Sequence, residues 1–523
     1  MKKWACVCFV TFAAIGFCTL AFFLIFLKTE VMNHNIYRAA VLEVVPHRNS
    51  SLSFRELVIK NLETYVSAVK IAYVHDVDVI VFPENGLIGS IRERSKLIYS
   101  IMENVPNPKE QNYVPCSQTE LFKDSPVLRI FSCLAVYGGM YIIANMIDFK
   151  PCNDSMFAAE NCMNMDCPDD GIYLFNTNVV FNKVGKLVTR YHKRHLTFED
   201  YLNPSNCKSD GYFETEFGKF LTSIGTDLFD EESNKVIEKL LPDTIVYPTC
   251  WEDYTPLEFL SSPFQSSYAF TRNINLLSAN MYDISTSKTR SVIYSGTNGP
   301  LIVSSGPYKH NTLLISNVPK NPKDYSKHFI LRRKKFLISS SDYYEVDFKE
   351  SRDYKHKCES RLQAKIDKIY KGSYCYPINS TDLNSVKLKN SEDIINICMN
   401  GLCCSLTYKA RKIKEDYFFL VSSYDDTSSD GAAAKYESCI LTRCISMEGK
   451  NCTHLTSQSK SIFDEVQVKG VFRSKYVFSV ALKSGIKLTG ENECKFDGIS
   501  SISFKNSQNN SLLTFGLFGH SHK

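Results

Sequence analysis

At 523 residues, with 44% hydrophobic and 22% charged residues and ordinary glycine and proline counts, the chain has length for about two to four domains with buried cores; disorder, collagen and coiled coil are excluded as global descriptions. The 61 Lys and Arg against 56 Asp and Glu give a net charge of +5 with the two signs interspersed, which leaves no electrostatic footprint for nucleic acid. Of 19 cysteines, Cys6, Cys8 and Cys18 open the chain and the others run from Cys116 to Cys494. That dense, even spread fits no zinc spacing and points to an oxidised framework made in the secretory pathway.

In chain order, Lys2 and Lys3 precede an uncharged run from Trp4 to Leu27. As a helix it would reach about 36 Å, against roughly 30 Å for a bilayer core. It is also longer than the apolar stretch of about 7–15 residues in a cleaved signal peptide. Residues 1–30 are therefore expected to be an uncleaved signal anchor, with a cleaved signal peptide as the alternative, and the chain beyond about residue 30 to face the lumen or exterior. Sequons at Asn49, Asn153, Asn379, Asn451 and Asn509 are expected glycosylation sites in that setting.

From Tyr37 the pattern is α/β. AAVLEVV reads as a strand, Phe54 to Val74 has helical spacing, and VDVIVF is a second buried strand. An irregular Cys-bearing stretch follows, then strands at MYIIANMI, IYLFNTNVVFN and KLVTRYHK, with a Cys- and Asp-rich loop from Cys152 to Asp170. GKFLTSIG and DTIVYPT are further strands, with a helix, ESNKVIEKLL, between them. Such alternation implies a layered sheet packed with helices, over residues 31–320. Around 305–330 the character turns Lys- and Ser-rich with short β-like runs (DYFFLVSSY, YVFSVALK, SLLTFGLFG) and nine cysteines from Cys358 to Cys494, so residues 321–523 are expected to form a second, β-rich, disulfide-stapled domain.

Two stations carry chemistry. VIVFPENGL puts Glu84 just past a strand end, where an acid can act as a general base, although Pro-Glu-Asn-Gly alone is an ordinary turn. Tyr191-His192-Lys193 closes the strand KLVTR, and alone it is a solvated basic turn. Together with the Phe-Gly-Lys-Phe strand leading to Asp227, and with DTIVYPT followed by Cys250 and Trp251, they make a more specific pattern. It resembles the nitrilase superfamily and, within it, the vanin and biotinidase branch. NTNVVFNKVGKLVTRYHK, the loop with Cys152, Cys162 and Cys167, GLCCSLTYK and KYVF extend the resemblance over nearly the whole chain beyond the N-terminal run.

The resemblance implies an α/β/β/α sandwich followed by a β-rich base domain. It also implies a Glu-Lys-Cys triad: the Glu takes the thiol proton, the thiolate attacks an amide carbonyl, the Lys stabilises the oxyanion, and water resolves the thioester. No cofactor or metal is implied. Vanins release cysteamine from pantetheine and biotinidase releases biotin from biocytin. Motif by motif, Glu84 falls on the base, Lys193 on the lysine, and Glu199 on a second acid. The nucleophile's motif has the form FGxFGIFTCFD, whereas this segment runs Phe217-Gly-Lys-Phe-Leu-Thr-Ser-Ile-Gly-Thr-Asp227 and holds Gly225 in the cysteine's place. Glycine has nothing to attack with, and losing a nucleophile costs on the order of 10⁶ in turnover in a well-studied hydrolase. The expectation is a vanin-like membrane-tethered or secreted glycoprotein with a degenerate site that binds a small, pantetheine-like amide or a protein partner. Its rival is a working amidohydrolase, either using Cys250, which stands in YPTCW where vanins show PTAW, or through a shifted alignment. Ser223 and Thr226 are weaker nucleophiles still. Family vanins often end in an apolar tail for a lipid anchor, and this sequence closes on FGLFGHSHK, which favours the N-terminal anchor.

Overall fold

The computed structural model describes residues 35–47, 52–89, 93–98, 103–153, 165–196, 199–206, 211–251, 261–282, 290–304, 310–323, 331–339, 343–345, 383–427, 433–443, 447–448, 451–452, 459–484, 487–489, 493–507 and 509–522. The N-terminal run, Asn49 and Asn379 lie outside these residues.

The first unit is two sheets face to face with helices on both outer sides. Sheet one holds β1 (Ile36–Glu43), β2 (Val79–Val81), β3 (Tyr141–Pro151), β4 (Ile172–Phe181) and β5 (Leu187–His192), plus three later strands described below. Sheet two holds β6 (Tyr212–Thr215), β7 (Gly218–Thr222), β8 (Thr244–Pro248), β9 (Asn275–Ala279), β10 (Val292–Ser295) and β11 (Gly299–Val303), in the order β11-β10-β9-β8-β7-β6. The middle strands β1, β2 and β3 run parallel, as do β7, β8 and β9, because a helix returns the chain between them. Side chains alternate across each strand, so Tyr37, Ala39, Val41, Val79 and Val81 of sheet one meet Phe220, Val246, Leu277 and Ile293 of sheet two in the inner core.

Helix α1 (Phe54–Val74) starts where Ser53 accepts the Glu56 N–H while Glu56 accepts the Ser53 N–H at 2.7 Å, a reciprocal cap. Its buried face, with Val58, Leu62, Tyr65, Val69 and Ala72, lies on sheet one beside α3 (Pro126–Gly138). The short α2 (Arg94–Ile98) precedes it. Helix α3 falls in the stretch expected to be irregular. Pro126 opens it and left-handed Gly139 (φ 57°) closes it, but its residues are apolar around most of the circumference, so the sequence shows no polar face. On the other side α4 (Glu231–Leu240) and α5 (Ser261–Arg272) cover sheet two.

Sheet one continues beyond the boundary expected at residue 320. β12 (Asn311–Pro319) pairs antiparallel with β1, β13 (Arg333–Ile338) with β12, and β14 (Tyr343–Glu345) with β13. The backbone pairing of the first unit therefore runs to Glu345, through a strand that exposes Arg333, half-buries Lys334 and buries Lys335.

The second unit is a β-sandwich. Its six-stranded sheet is ordered Leu383–Lys387, Tyr417–Thr427, Ala433–Arg443, Leu512–His522, Val477–Lys483, Lys487–Leu488. Its five-stranded sheet is ordered Glu392–Met399, Leu402–Lys412, Ile462–Val471, Ser501–Lys505, Cys494–Phe496. Leu406, Phe419, Leu441, Phe463, Val468, Phe515 and Leu517 fill the space between them. Disulfides Cys398–Cys403 and Cys404–Cys439 staple this unit, and Cys116–Cys133 and Cys152–Cys167 staple the first. Among the described residues the two units meet in an apolar contact: Phe264 and Tyr268 of α5, with Phe229, pack against Phe478 and Phe518. Among the described residues no helix is long and apolar enough to cross a membrane.

Candidate functional site

The site lies at the end of the sandwich where β2, β5, β7 and β8 finish. After β2, Phe82 stacks on Tyr65 with ring centres 4.1 Å apart, and Pro83 turns the chain so that buried Glu84 points between the sheets. The turn stays tight because Gly86 has no β-carbon; one there would stand 2.3 Å from Tyr65 Oη. The Asn85 N–H donates to Asn145 Oδ1 at 2.9 Å, tying the turn to β3.

Lys193 follows β5, held by its N–H on the Asn176 carbonyl at 2.8 Å. The preceding His192 stacks on Phe175 and bonds Asp148 at 2.7 Å, so the lysine's root is rigid. Lys193 Nζ donates to Glu84 Oε1 at 2.7 Å and to Glu199 Oε2 at 2.5 Å, and all three groups are buried. Burial works against the ammonium, but the Glu199 and Glu84 carboxylates outweigh it and raise the Lys193 pKa. Burial also raises the Glu84 carboxyl, with Lys193 opposing the rise and Glu199 adding to it.

Gly225 opens a 3₁₀ turn, Gly225–Phe229, just beyond β7, with φ 46° in the left-handed region. A β-carbon there would stand 2.8 Å from Glu84 Oε2 and 3.1 Å from Lys193 Nζ. The Tyr247 hydroxyl donates to the Gly225 carbonyl at 2.7 Å. The structure thus brings Glu84, Lys193, Glu199 and Gly225 together. Cys250 also reaches the site: its backbone N–H donates to Glu84 Oε2 at 2.9 Å, while its Sγ, a thiol, lies 3.9 Å from Met281 Sδ. The Thr226 hydroxyl donates to the His195 carbonyl, and Ser223 Oγ is buried without a hydrogen-bond partner among the described residues.

Sequence reasoning missed the residues that position the cluster. Asn176 Nδ2 donates to both Glu84 Oε1 (2.9 Å) and Glu199 Oε1 (2.8 Å), and its Oδ1 accepts from Asn145. Asn145 also donates to Asn178, whose own Nδ2 donates to Thr222 Oγ1 and the Ser223 carbonyl. The signal was two asparagines at alternate positions of a largely apolar strand, which put polar groups on one buried face. Asp227 is the second brace. It accepts from the Tyr191 hydroxyl and from the Arg194 and His195 N–H groups at 2.8–2.9 Å, linking the turn after Lys193 to the turn at Gly225.

Chemically the cluster is a carboxylate base beside an ammonium ion, with a second carboxylate behind it and a backbone turn aimed at both. A thiol on that turn would give its proton to Glu84, and Lys193 would hold the oxyanion formed on an amide oxygen when the thiolate adds to its carbonyl carbon. Among the described residues no group of three or more His, Cys, Asp or Glu is placed to hold a metal ion. Asn153 and Asn509 are exposed, and Asn451 opens the short strand Asn451–Cys452; Asn509 Oδ1 accepts from Arg411.

Comparison with known proteins agrees with this architecture. The carbon-nitrogen hydrolase family model matches residues 50–261, and the vanin C-terminal domain model matches residues 374–523. Pantetheinase from Mus musculus is 28% identical over 466 residues, 88% of this chain and 83% of that protein. Biotinidase from Homo sapiens is 28% identical over 477 residues, 89% of this chain and 84% of its own. Among solved structures, an amidase from Nesterenkonia sp. aligns over 56% of this chain and 94% of its own at 13% identity, with a TM-score of 0.38. With a carbon-nitrogen hydrolase domain followed by a vanin C-terminal domain on one polypeptide, and with pantetheinase and biotinidase as relatives over most of its length, the chain belongs to the vanin and biotinidase branch of the carbon-nitrogen hydrolase superfamily.

Proposed function

We propose that this family member keeps the amide-binding site but not the hydrolytic reaction, because Gly225 stands where the nucleophilic cysteine belongs. The carrying observation is the position of residue 225: a side chain there would touch both Glu84 and Lys193. The buried Glu84-Lys193-Glu199 cluster remains able to receive a small linear amide, of the pantetheine or biotin-amide kind that the relatives' names suggest, or to serve as the buried base of a protein-binding surface. A second reading, hydrolysis through Cys250, is favoured by the contact of the Cys250 N–H with Glu84. It is opposed by that same contact, since it is the backbone of Cys250 that meets the base, and near-attack geometry tolerates little displacement.

The protein is proposed to reside in the secretory pathway, at the outer membrane face through residues 1–30 or secreted, and to be glycosylated. The disulfides support an oxidising compartment, and exposed Asn153 and Asn509 are open to modification. The test is hydrolysis of pantetheine and of a biotin amide by the wild-type chain and by Cys250→Ala. No turnover in either supports the proposal. Wild-type turnover that disappears in Cys250→Ala establishes the second reading instead, and turnover that survives the substitution sinks both.

A further inference from the structure

The first unit exposes ten large apolar side chains among its described residues, and seven of them gather at one end of the sandwich, opposite the candidate site. Helices return the chain antiparallel to the strands, so α1 and α3 both finish at the end where β1 begins. There Tyr73 and Val74 close α1, and Val136 and Tyr137 close α3, with the two tyrosine rings 5.4 Å apart. The β4–β5 turn docks beside them: Ser132 Oγ donates to the Gly185 carbonyl, and a β-carbon on Gly185 would stand 2.8 Å from Val136 Cγ2. Val184 at the tip of that turn is 66% exposed, and Val74 is 65% exposed. Leu241, after α4, and Leu331, before β13, mark the same end. Tyr37 Oη near the start of β1 bonds Thr244 at the start of β8, and the Asn317 N–H donates to the Arg332 carbonyl.

This is also the end from which the N-terminal run departs. The Asn35 carbonyl accepts the Lys320 N–H at 2.9 Å, which fixes the start of the described chain beside that apolar patch. Residues 28–35 reach at most about 28 Å from the uncharged Trp4–Leu27 segment. Paired tyrosines amid valines and leucines suit the bilayer interface, where a ring's apolar body and polar tip are both accommodated. Lys183 is met by Asp78 and Glu216, and Arg38 by Asp76, while Lys186, Lys239, Lys320 and Arg332 stand at the same end, where anionic headgroups would add to the apolar contact.

We infer that this end of the first unit rests on the surface of the bilayer that holds the N-terminal segment, with Tyr73 and Tyr137 at headgroup depth and the candidate site facing away. The inference rests on the reading of residues 1–30 as a retained anchor. The apolar contact is enough on zwitterionic lipid, where it is insensitive to salt.

The test uses the full chain reconstituted into phosphatidylcholine vesicles with and without brominated acyl chains, which quench tryptophan on contact. The natural Trp4 reports the anchor, as the quenchable part of an emission to which Trp251, beside the candidate site, also contributes. Val184→Trp and Tyr137→Trp report the patch, and Val471→Trp, on an exposed strand of the second unit, is the comparison. The expected result is that the emission added by Val184→Trp and by Tyr137→Trp is lost in brominated vesicles at both low and high salt, while that added by Val471→Trp is kept. Quenching of Trp4 without quenching at either patch position overturns the inference and leaves the anchor standing. A wild-type chain that neither floats with vesicles nor shows quenching removes the anchor and this inference with it. Shielding of Val184→Trp that follows protein concentration in unbrominated vesicles assigns the patch to a second copy of the chain and also overturns it.

Discussion

Gly225→Cys restores a side chain between Glu84 and Lys193, and the geometry sets its cost. At φ 46° a β-carbon costs about 1–2 kcal/mol. At 2.8 Å from Glu84 Oε2 it also forces the carboxylate off the Cys250 N–H, a charge-assisted bond worth about 1.5–3 kcal/mol. A loss of about 2.5–5 kcal/mol in unfolding free energy follows, and Gly225→Ala shares it, since both effects come from the β-carbon. Urea denaturation of the two variants measures that cost. Alkylation by iodoacetamide with peptide mapping measures the chemistry: the introduced thiol, with Lys193 Nζ about one van der Waals contact away, is expected to react in Gly225→Cys and to react more slowly when Glu84→Gln is added. The thioester step is expected to lag far behind labelling, because a site misplaced by about 1 Å loses on the order of 100-fold. If Gly225→Ala unfolds within about 0.5 kcal/mol of wild type, a scatter ordinary for surface changes, the β-carbon does not meet Glu84 and the assignment of this position collapses.

Burial raises the Glu103 carboxyl to about 7, although it accepts the Val127 and Leu128 N–H groups at the start of α3. A raised pKa gives stability that is full below the ordinary value near 4.5 and is lost as pH rises through about 7, at most about 3 kcal/mol; Glu103→Gln is expected to flatten that part of a stability-pH curve, and an unchanged slope refutes the assignment. Removing Cys404–Cys439, which spans 35 residues, should cost about 4 kcal/mol in thermal or urea unfolding, against about 2 kcal/mol for Cys398–Cys403, which spans 5; a reversed order would contradict the loop-entropy account. Phe264→Ala removes a fully buried ring from the contact between the units and should cost about 3–5 kcal/mol, with the two units unfolding in separate calorimetric transitions; a single undisturbed transition would show that the contact does not couple them.

The sequence made the frame of the first unit legible where periodicity was clean. The helix at Phe54–Val74 and the strands at β1, β4, β5 and β8 follow the apolar pattern directly. Helix α3 was hidden by an apolar circumference, and β13 by a lysine-rich strand that looks like the start of a new domain. At the site, Glu84 and Lys193 were readable because each closes a strand with a recognisable turn. Asn176, Asn145 and Asp227 were not, because their role comes from pairing across β3, β4 and the turns, between residues tens of positions apart. A linear pattern marks which residues end strands; it does not show which buried amide faces which carboxylate.

The middle strand Leu512–His522 of the second unit's larger sheet has a consequence in time. Its Phe518 and His520 rings lie 6.4 and 4.7 Å from Phe229, the last residue of the turn that begins at Gly225. That turn leaves the ribosome long before the strand that covers it. At about 5–20 residues per second the gap is roughly 15–60 s, during which Phe229, Phe264 and Trp251 present an aromatic surface with nothing against it. The growing chain therefore carries this aromatic face uncovered through much of its synthesis, and a message that stops short of Leu512 yields a first unit whose own sheets can pair but whose outer face stays open to whatever apolar surface it meets first.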